Sequence, residues 1–171
     1  VGSFAVQLAK AYGAHVTAVT SSANLAVVAS VGADSVIDRE ATDFRNGAER
    51  YDLIVEAGGY GSVRATLKLL NPGGRYVFVG GGGSQTTAAL LLGKSMLAKP
   101  DKADLEEVAR LLAAGKVKPL TGVSFPLEEA AEAVRLFERG GAAGKIVLNV
   151  GAQVSGTSAE AEPYVASAVA V

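Results

Sequence analysis

VGSFAVQLAKAYGAHVTAVTSS, residues 1–22, decides how this chain folds. Phe4, Leu8 and Ala11 recur at helical spacing, and Gly13 is a natural stop. HVTAVT (15–20) then reads as a β-strand. The same alternation continues downstream. ANLAVVASVGA (23–33) reads as a helix, SVID (35–38) as a short strand and YDLIVEAGG (51–59) as a buried strand ending in glycines. SVRATLKLLNPGG (62–74) reads as a helix stopped by Asn-Pro-Gly-Gly, followed by the strand RYVFVGGGG (75–83). Helix, strand, helix, strand, strand, helix, strand, joined by right-handed crossovers, predicts a parallel, doubly wound α/β sheet of the Rossmann type.

Beyond Gly83 the pattern loosens. KSMLAK (94–99) fits a strand, and KADLEEVARLLAAGK (102–116) an amphipathic helix begun by Asp101 or Asp104 and ended by Gly115. Leu105, Val108, Leu111 and Leu112 form its expected core stripe. VKPLTGVSFPL (117–127) is extended, EEAAEAVRLFERGG (128–141) helical and GKIVLNV (144–150) a final strand. From Gly151 the tail has small residues and no period, and it is expected to be disordered. The expected divisions are a sheet domain over 1–122, a helix and strand over 123–150, and a tail over 151–171.

Composition removes several classes of function. The formal net charge is -1, and no lysine or arginine cluster offers a track for nucleic acid or an anionic membrane. There is no cysteine, which excludes disulfides and fits a reducing compartment. With His15 as the only histidine, no metal site is expected. His15 starts a strand, at the end away from the ligand-binding edge of such a sheet, so its expected role is structural. No apolar run approaches bilayer-spanning length, and no leader pattern opens the chain; a cytoplasmic location is the expectation. AALLLGKS (88–95) mimics a phosphate loop, but leucines stand where backbone amides must curl, and it is read as chance. No G-x-S-x-G elbow is present, nor a tyrosine followed four residues later by lysine.

What remains points to a dinucleotide. Such a coenzyme needs a glycine turn feeding a helix whose N-terminal amides face the pyrophosphate. Gly2 stands where the third glycine would. An acidic residue for the adenosine ribose is expected about 20 residues beyond that motif. There the chain carries Thr20, Ser21 and Ser22 and no acid. Hydroxyls without a carboxylate do not repel a 2′-phosphate, which favours NADP (NADPH) over NAD; the plainer reading is a turn with capping serines.

The run VGSFAVQLAKAYGAHVTAVTSSANLAVVASVGADSVIDREATDF (1–44) resembles the nucleotide-binding domain of medium-chain dehydrogenases/reductases, on the zinc-independent, quinone oxidoreductase-like branch. YDLIVEAGG, LKLLNPGGRYVFVGGGG, LAKPDKADLEEVARLLAAGKVKPL and FPLEEAAEAVRLFERGGAAGKIVLNV extend the similarity, in the family's order, to Val150. The resemblance implies that Val1 and Gly2 lie at the pyrophosphate, and that Ser21 and Ser22 lie near a 2′-phosphate. Asn24 follows the family pattern. Ala23 replaces a common arginine or lysine, which weakens the NADP assignment, and Arg39 replaces a common aromatic after Asp38. Ala57 and Gly58 match the bend at the ribose; Phe78, Val79 and Gly80 match the strand end that meets the nicotinamide carboxamide.

The resemblance also implies a first strand, the first glycines and a catalytic domain ahead of Val1. The implied activity is hydride transfer from NADPH to a small-molecule quinone, enone or carbonyl compound, with no catalytic residue assignable here. Two alternatives stand beside it: a non-catalytic module with weak or no nucleotide binding, and part of a zinc-dependent alcohol dehydrogenase. A methyl-transfer enzyme fits poorly, since Ser21 and Ser22 stand where its ribose-binding acid belongs. Without a first strand the sheet is expected to close by pairing HVTAV with DLIVE or to be marginally stable, and open edges leave room for a homo-oligomer. Glu56, at a strand end, is read as a solvated carboxylate in preference to a ribose contact or proton relay.

Overall fold

The computed structural model describes residues 1–58, 61–79, 83–92, 99–139, 144–150 and 168–170. Its elements are α1 (Gly2–Ala11), β1 (Thr17–Thr20), α2 (Leu25–Ser30), β2 (Ser35–Asp38), β3 (Tyr51–Glu56), α3 (Val63–Leu67), β4 (Leu70–Phe78), α4 (Gly83–Leu91), α5 (Lys102–Ala113), β5 (Thr121–Pro126), α6 (Ala130–Glu138), β6 (Lys145–Asn149) and β7 (Ala168–Ala170). Val1–Lys118 with Ser167–Val171 form one compact unit, and Pro119–Ala166 a second. The division falls earlier than after Gly122 because β5 belongs with β6, the strand it pairs with.

The first unit is a doubly wound sheet of order β2-β1-β7-β3-β4. β1 pairs parallel with β2, and β3 parallel with β4. All four residues of β1 are buried, as its near-central place requires. Helices cover both faces. Val6 of α1 and Val28 of α2 pack with Val16 and Ala18 on one face. On the other, Val63 and Leu69 pack with Val19, Ile54, Tyr76, Phe78 and Ala89 of α4. The change of face between Ala18 and Val19 is the two-residue period of a strand.

The centre of the sheet departs from expectation. β1 and β3 do not pair with each other; β7 lies between them, antiparallel to both, with Val169 opposite Ala18 and Val55. The tail is therefore not disordered at Ala168–Ala170. An unfilled slot would leave two buried strands with unpaired N–H and C=O groups, and an Ala-Val-Ala run is small and apolar enough to supply partners. Because β7 is antiparallel to both neighbours, β1 and β3 still run in the same direction.

Local chemistry explains the element ends. Asp34 accepts from the Val16 amide at 2.7 Å and from Lys10 Nζ at 2.8 and 2.9 Å, tying the end of α1 to the starts of β1 and β2. Those bonds, Lys10 first, hold its carboxyl below the usual range. Asp101 caps α5 by accepting from the Ala103 amide at 2.7 Å. Gln7, 7% exposed, grips the backbone of Lys118 from both sides: Nε2 donates to its carbonyl at 3.0 Å, and Oε1 accepts from its amide at 2.7 Å.

Two further expectations meet a different structure. The helix read over 62–74 ends at Leu67, and pairing resumes at Leu70 opposite Tyr51, then at Arg75 opposite Leu53. Asn71–Gly74 bulge between those pairs. A Cβ on Gly74 would lie 3.0 Å from the Tyr51 and Asn71 carbonyl oxygens, so only glycine fits there comfortably. On α5, Leu111 is buried, but Leu105 is 67% exposed and not a core residue. The KSMLAK strand and the Lys94-Ser95 pair of the phosphate-loop mimic lie outside the described residues, save Lys99.

In the second unit β5 and β6 pair in parallel, with α6 as the intervening helix. Leu127–Glu129 form a short 3₁₀ turn ahead of α6. Gly144 enters β6 with φ +97°, and a Cβ there would lie 2.6 Å from the Leu120 carbonyl oxygen. Gly144→Ala is expected to destabilise this unit by about 2 kcal/mol or more, from the left-handed backbone and the clash together. Urea unfolding followed by hydrogen exchange of the β5 and β6 amides checks it. Among the described residues no helix is long and apolar enough to cross a membrane.

Candidate functional site

In an open α/β sheet, ligands bind outside the carboxyl ends of the strands, where the connections change direction. Here β1, β2, β3 and β4 all end on one edge, at Thr20, Asp38, Glu56 and Phe78, with Thr20 beside Asp38 and Glu56 beside Phe78. The change of direction falls at the centre, where β1 leads outward to β2 and β3 leads outward to β4. α1 reaches β1 through a short turn, so its N-terminus points back to that same edge. Its first turn holds no acidic residue, and no side chain caps it. Such a terminus attracts an anion through its amides and its dipole.

The residues expected at this edge fare differently. Val1 is 68% exposed ahead of α1, and Gly2 is its first helical residue. Ala57 and Gly58 follow β3, half-buried. Phe78 is buried, and the Val79 amide donates to the Glu56 carbonyl at 2.9 Å, locking the two strand ends together. Gly80 lies outside the described residues. Thr20, Ser21 and Asn24 are 0%, 1% and 2% exposed. Asn24 Nδ2 donates to Ser21 Oγ at 3.0 Å, so this expected ligand hydroxyl is turned into the protein. Thr20 Oγ1 is buried with no hydrogen-bond partner.

Ser22 alone of the hydroxyl pair faces outward, and its surroundings are acidic. Its Oγ lies 2.6 Å from Asp38 Oδ2 and 2.8 Å from Glu40 Oε2. The Glu40 amide donates to Asp38 Oδ1 at 2.9 Å, which sets the turn. The Ser22 hydroxyl, then the Glu40 amide, hold the Asp38 carboxyl below its ordinary range, so it is ionised at neutral pH. The window that looks free of carboxylates along the chain has two of them in space. Strand register was the missing signal, since it sets Asp38 opposite Thr20.

Glu56 is also not the solvated carboxylate expected. It is 4% exposed, and the buried Tyr76 hydroxyl donates to its Oε2. His15 sits at the opposite edge with its side chain 76% exposed, 3.7 Å from Asp34. A cavity of about 760 Å³ opens beside it, lined by Leu8, Tyr12, Tyr51 and Leu53 among others. Its position at the strand starts sets it apart from the carboxyl edge.

Residues 31–148 match the family described as zinc-binding dehydrogenase. The chain belongs to that family. It is 30% identical to the mitochondrial NAD(P)H oxidoreductase RTN4IP1 of Danio rerio, over 88% of the chain and 46% of the relative. It is 31% identical to the chloroplastic NADPH-dependent alkenal/one oxidoreductase of Arabidopsis thaliana, over 86% and 37%. Among solved structures it matches the quinone oxidoreductase from Coxiella burnetii with a TM-score of 0.73 at 26% identity, over 88% of the chain and 49% of the neighbour. The chain thus spans about half the length, or less, of these relatives. The medium-chain dehydrogenase/reductase resemblance and its Rossmann-type fold are shown by these matches.

The family's two cofactors fit this chain unequally. A nicotinamide dinucleotide fits the carboxyl edge, given the uncapped α1 terminus and the outward-facing polar turns at the ends of β1 and β2. Zinc does not fit. The sequence has no cysteine and one histidine, and among the described residues no three His, Cys, Asp or Glu side chains gather.

Proposed function

We propose that this chain is the coenzyme-binding part of an oxidoreductase that passes hydride from a reduced nicotinamide dinucleotide to an electron-poor small molecule, a quinone or a carbonyl-conjugated alkene. The observation that carries this reading is the convergence of four parallel strand ends and the uncapped α1 terminus on one edge. The acceptor class is supported by relatives named quinone oxidoreductase, alkenal/one oxidoreductase and acryloyl-coenzyme A reductase.

The coenzyme supplies the hydride; the residues of this chain bind and orient it. Amides of the first turn of α1 attract the diphosphate, and Gly2 lets it approach closely. The turns at Ser22 and Asp38 take the adenosine ribose. Ala57 and Gly58 keep side-chain bulk away from the second ribose, and Val79 places backbone beside the nicotinamide.

Titration with NADH tests the binding half of the proposal. Enhanced nicotinamide fluorescence and a raised unfolding temperature are expected, both weakened about tenfold or more in Gly2→Trp, where an indole blocks the diphosphate. Absence of both effects at millimolar coenzyme would overturn the reading in favour of a module that does not bind nucleotide. Loss of nicotinamide absorbance on adding a simple quinone or enone tests the acceptor class.

A further inference from the structure

We infer that Asp38 and Glu40, acting around Ser22, make the adenosine end of this site selective for NAD(H) over NADP(H). The inference rests on the proposed coenzyme site and specifies it. It reverses the preference drawn from the serine pair alone, for reasons that lie in the tertiary structure.

A 2′-phosphate needs hydroxyls, amides or cations turned outward. Ser21 is buried and engaged by Asn24, and Ala23 is an exposed methyl group. Ser22 is exposed, but its Oγ lies within hydrogen-bond distance of two carboxylate oxygens. The Ser22 amide also donates to Glu40 Oε2 at 3.4 Å and the Glu40 amide to Asp38 Oδ1 at 2.9 Å, but a hydroxyl has one hydrogen and each carboxylate oxygen two lone pairs, so accepting capacity remains on both acids. A 2′-hydroxyl can donate to either. A 2′-phosphate has no proton to donate at neutral pH and would face two negative charges at short range. The second strand of a dinucleotide fold ordinarily carries such an acid at its own end. In this chain the acids come from the end of the neighbouring strand, Asp38, and the turn after it, Glu40, and the Thr20–Asp38 register delivers them to the same place.

Arg39 is the cation of this turn, and it supplies the opposing hypothesis, since an arginine can hold a 2′-phosphate. Its amide donates to the Thr20 carbonyl at 2.9 Å, and its charge adds to the Ser22 and Glu40 hydrogen bonds that hold Asp38 below its usual range. Two carboxylates flank it in the chain. The net charge of residues 38–40 therefore opposes an added phosphate.

Affinities for NADH and NADPH, read from nicotinamide fluorescence and checked by calorimetry with the oxidised coenzymes, test this on the chain and on Asp38→Asn, Glu40→Gln, their double variant and Arg39→Ala. The chain should bind NADH about tenfold or more tighter than NADPH, with the gap narrowing as salt is added. The double variant should lose most of that ratio by gaining NADPH affinity, and Arg39→Ala should leave NADPH the weaker ligand. Each variant's unfolding temperature confirms that it folds; Asn and Gln keep the side-chain shape. Equal or tighter NADPH binding by the chain, or a ratio unchanged in the double variant, overturns the selectivity while leaving the coenzyme site intact. Loss of NADPH binding in Arg39→Ala, from a chain that prefers NADPH, assigns the phosphate to Arg39 and overturns it as well. Failure to bind either coenzyme overturns the proposed function, and this inference with it.

Discussion

Val169→Pro is expected to lower the unfolding temperature by about 10 °C or more. Val169 is the middle residue of β7 and stands opposite Ala18 on one side and Val55 on the other. Proline there removes an amide from a strand flanked on both sides, and its ring clashes with the ladder, a cost of about 3 kcal/mol or more. For a domain of this size each kcal/mol moves the midpoint by roughly 2–8 °C. The loss propagates because β1 and β3 would face each other across an empty slot, with the buried Val19 and Ile54 on their flanks. Circular dichroism gives the midpoint, and hydrogen exchange at the Val19 and Ile54 amides gives the location. Val169→Thr keeps a β-branched residue and an amide, so it should change little. An unchanged midpoint with unchanged exchange in the proline variant would mean that β7 does not hold the sheet together in solution.

Tyr76→Phe is expected to cost about 1–3 kcal/mol, because it removes a hydrogen-bond donor from a carboxylate that is almost fully buried. Adding Glu56→Gln to it should recover part of that loss, since the uncharged amide tolerates burial better; the double-mutant cycle reads the coupling directly. The pair also has a signature in alkali. Burial first, then the hydrogen bond to Glu56 and its charge, push the Tyr76 phenol well above its ordinary 10.0. The unfolded chain releases this proton near pH 10, whereas the folded chain keeps it. Above that pH the unfolded state binds fewer protons, so the contribution of Tyr76 is whole below about pH 10 and fades as pH rises. Tyr51 and Tyr12 are raised as well, so the test is the difference in slope between parent and Phe variant across that range. Identical slopes would remove Tyr76 from the account.

Both effects concern the centre and the carboxyl edge of the sheet, where the primary structure was least informative. The alternation of helix and strand was legible at once, because an amphipathic period and a glycine stop are local properties. Phe4, Leu8 and Gly13 were enough to mark α1, and the start of α5 was narrowed to Asp101 or Asp104, of which Asp101 makes the cap. Pairing is not local. Nothing in ASAVAV distinguishes a tail from a strand until two buried edges stand ready to accept it. The α5 stripe shows the converse: Leu105 has the spacing of a core residue, but burial depends on what packs above it.

The candidate site divides in the same way. The expectation of a dinucleotide at the carboxyl edge, with Gly2 beside it, follows from the order of elements and from residue types; the bend at Ala57–Gly58 came with the family resemblance. Which chemistry the ribose meets does not. Ser21 and Ser22 are adjacent in the chain, but one is turned inward to Asn24 and the other outward to Asp38 and Glu40. Glu56 looked like a solvated strand end and is instead enclosed with Tyr76.

The class of fold and most of the succession of elements, α4 and β7 excepted, could be read from the chain, because short-range periodicity and turn residues encode them. Which strand fills the centre, which carboxylates gather round Ser22 and which acid is buried were settled by packing and pairing. Those outcomes depend on register and on residues far apart in the chain, and a side chain's charge has consequences only once its neighbours and its access to water are set.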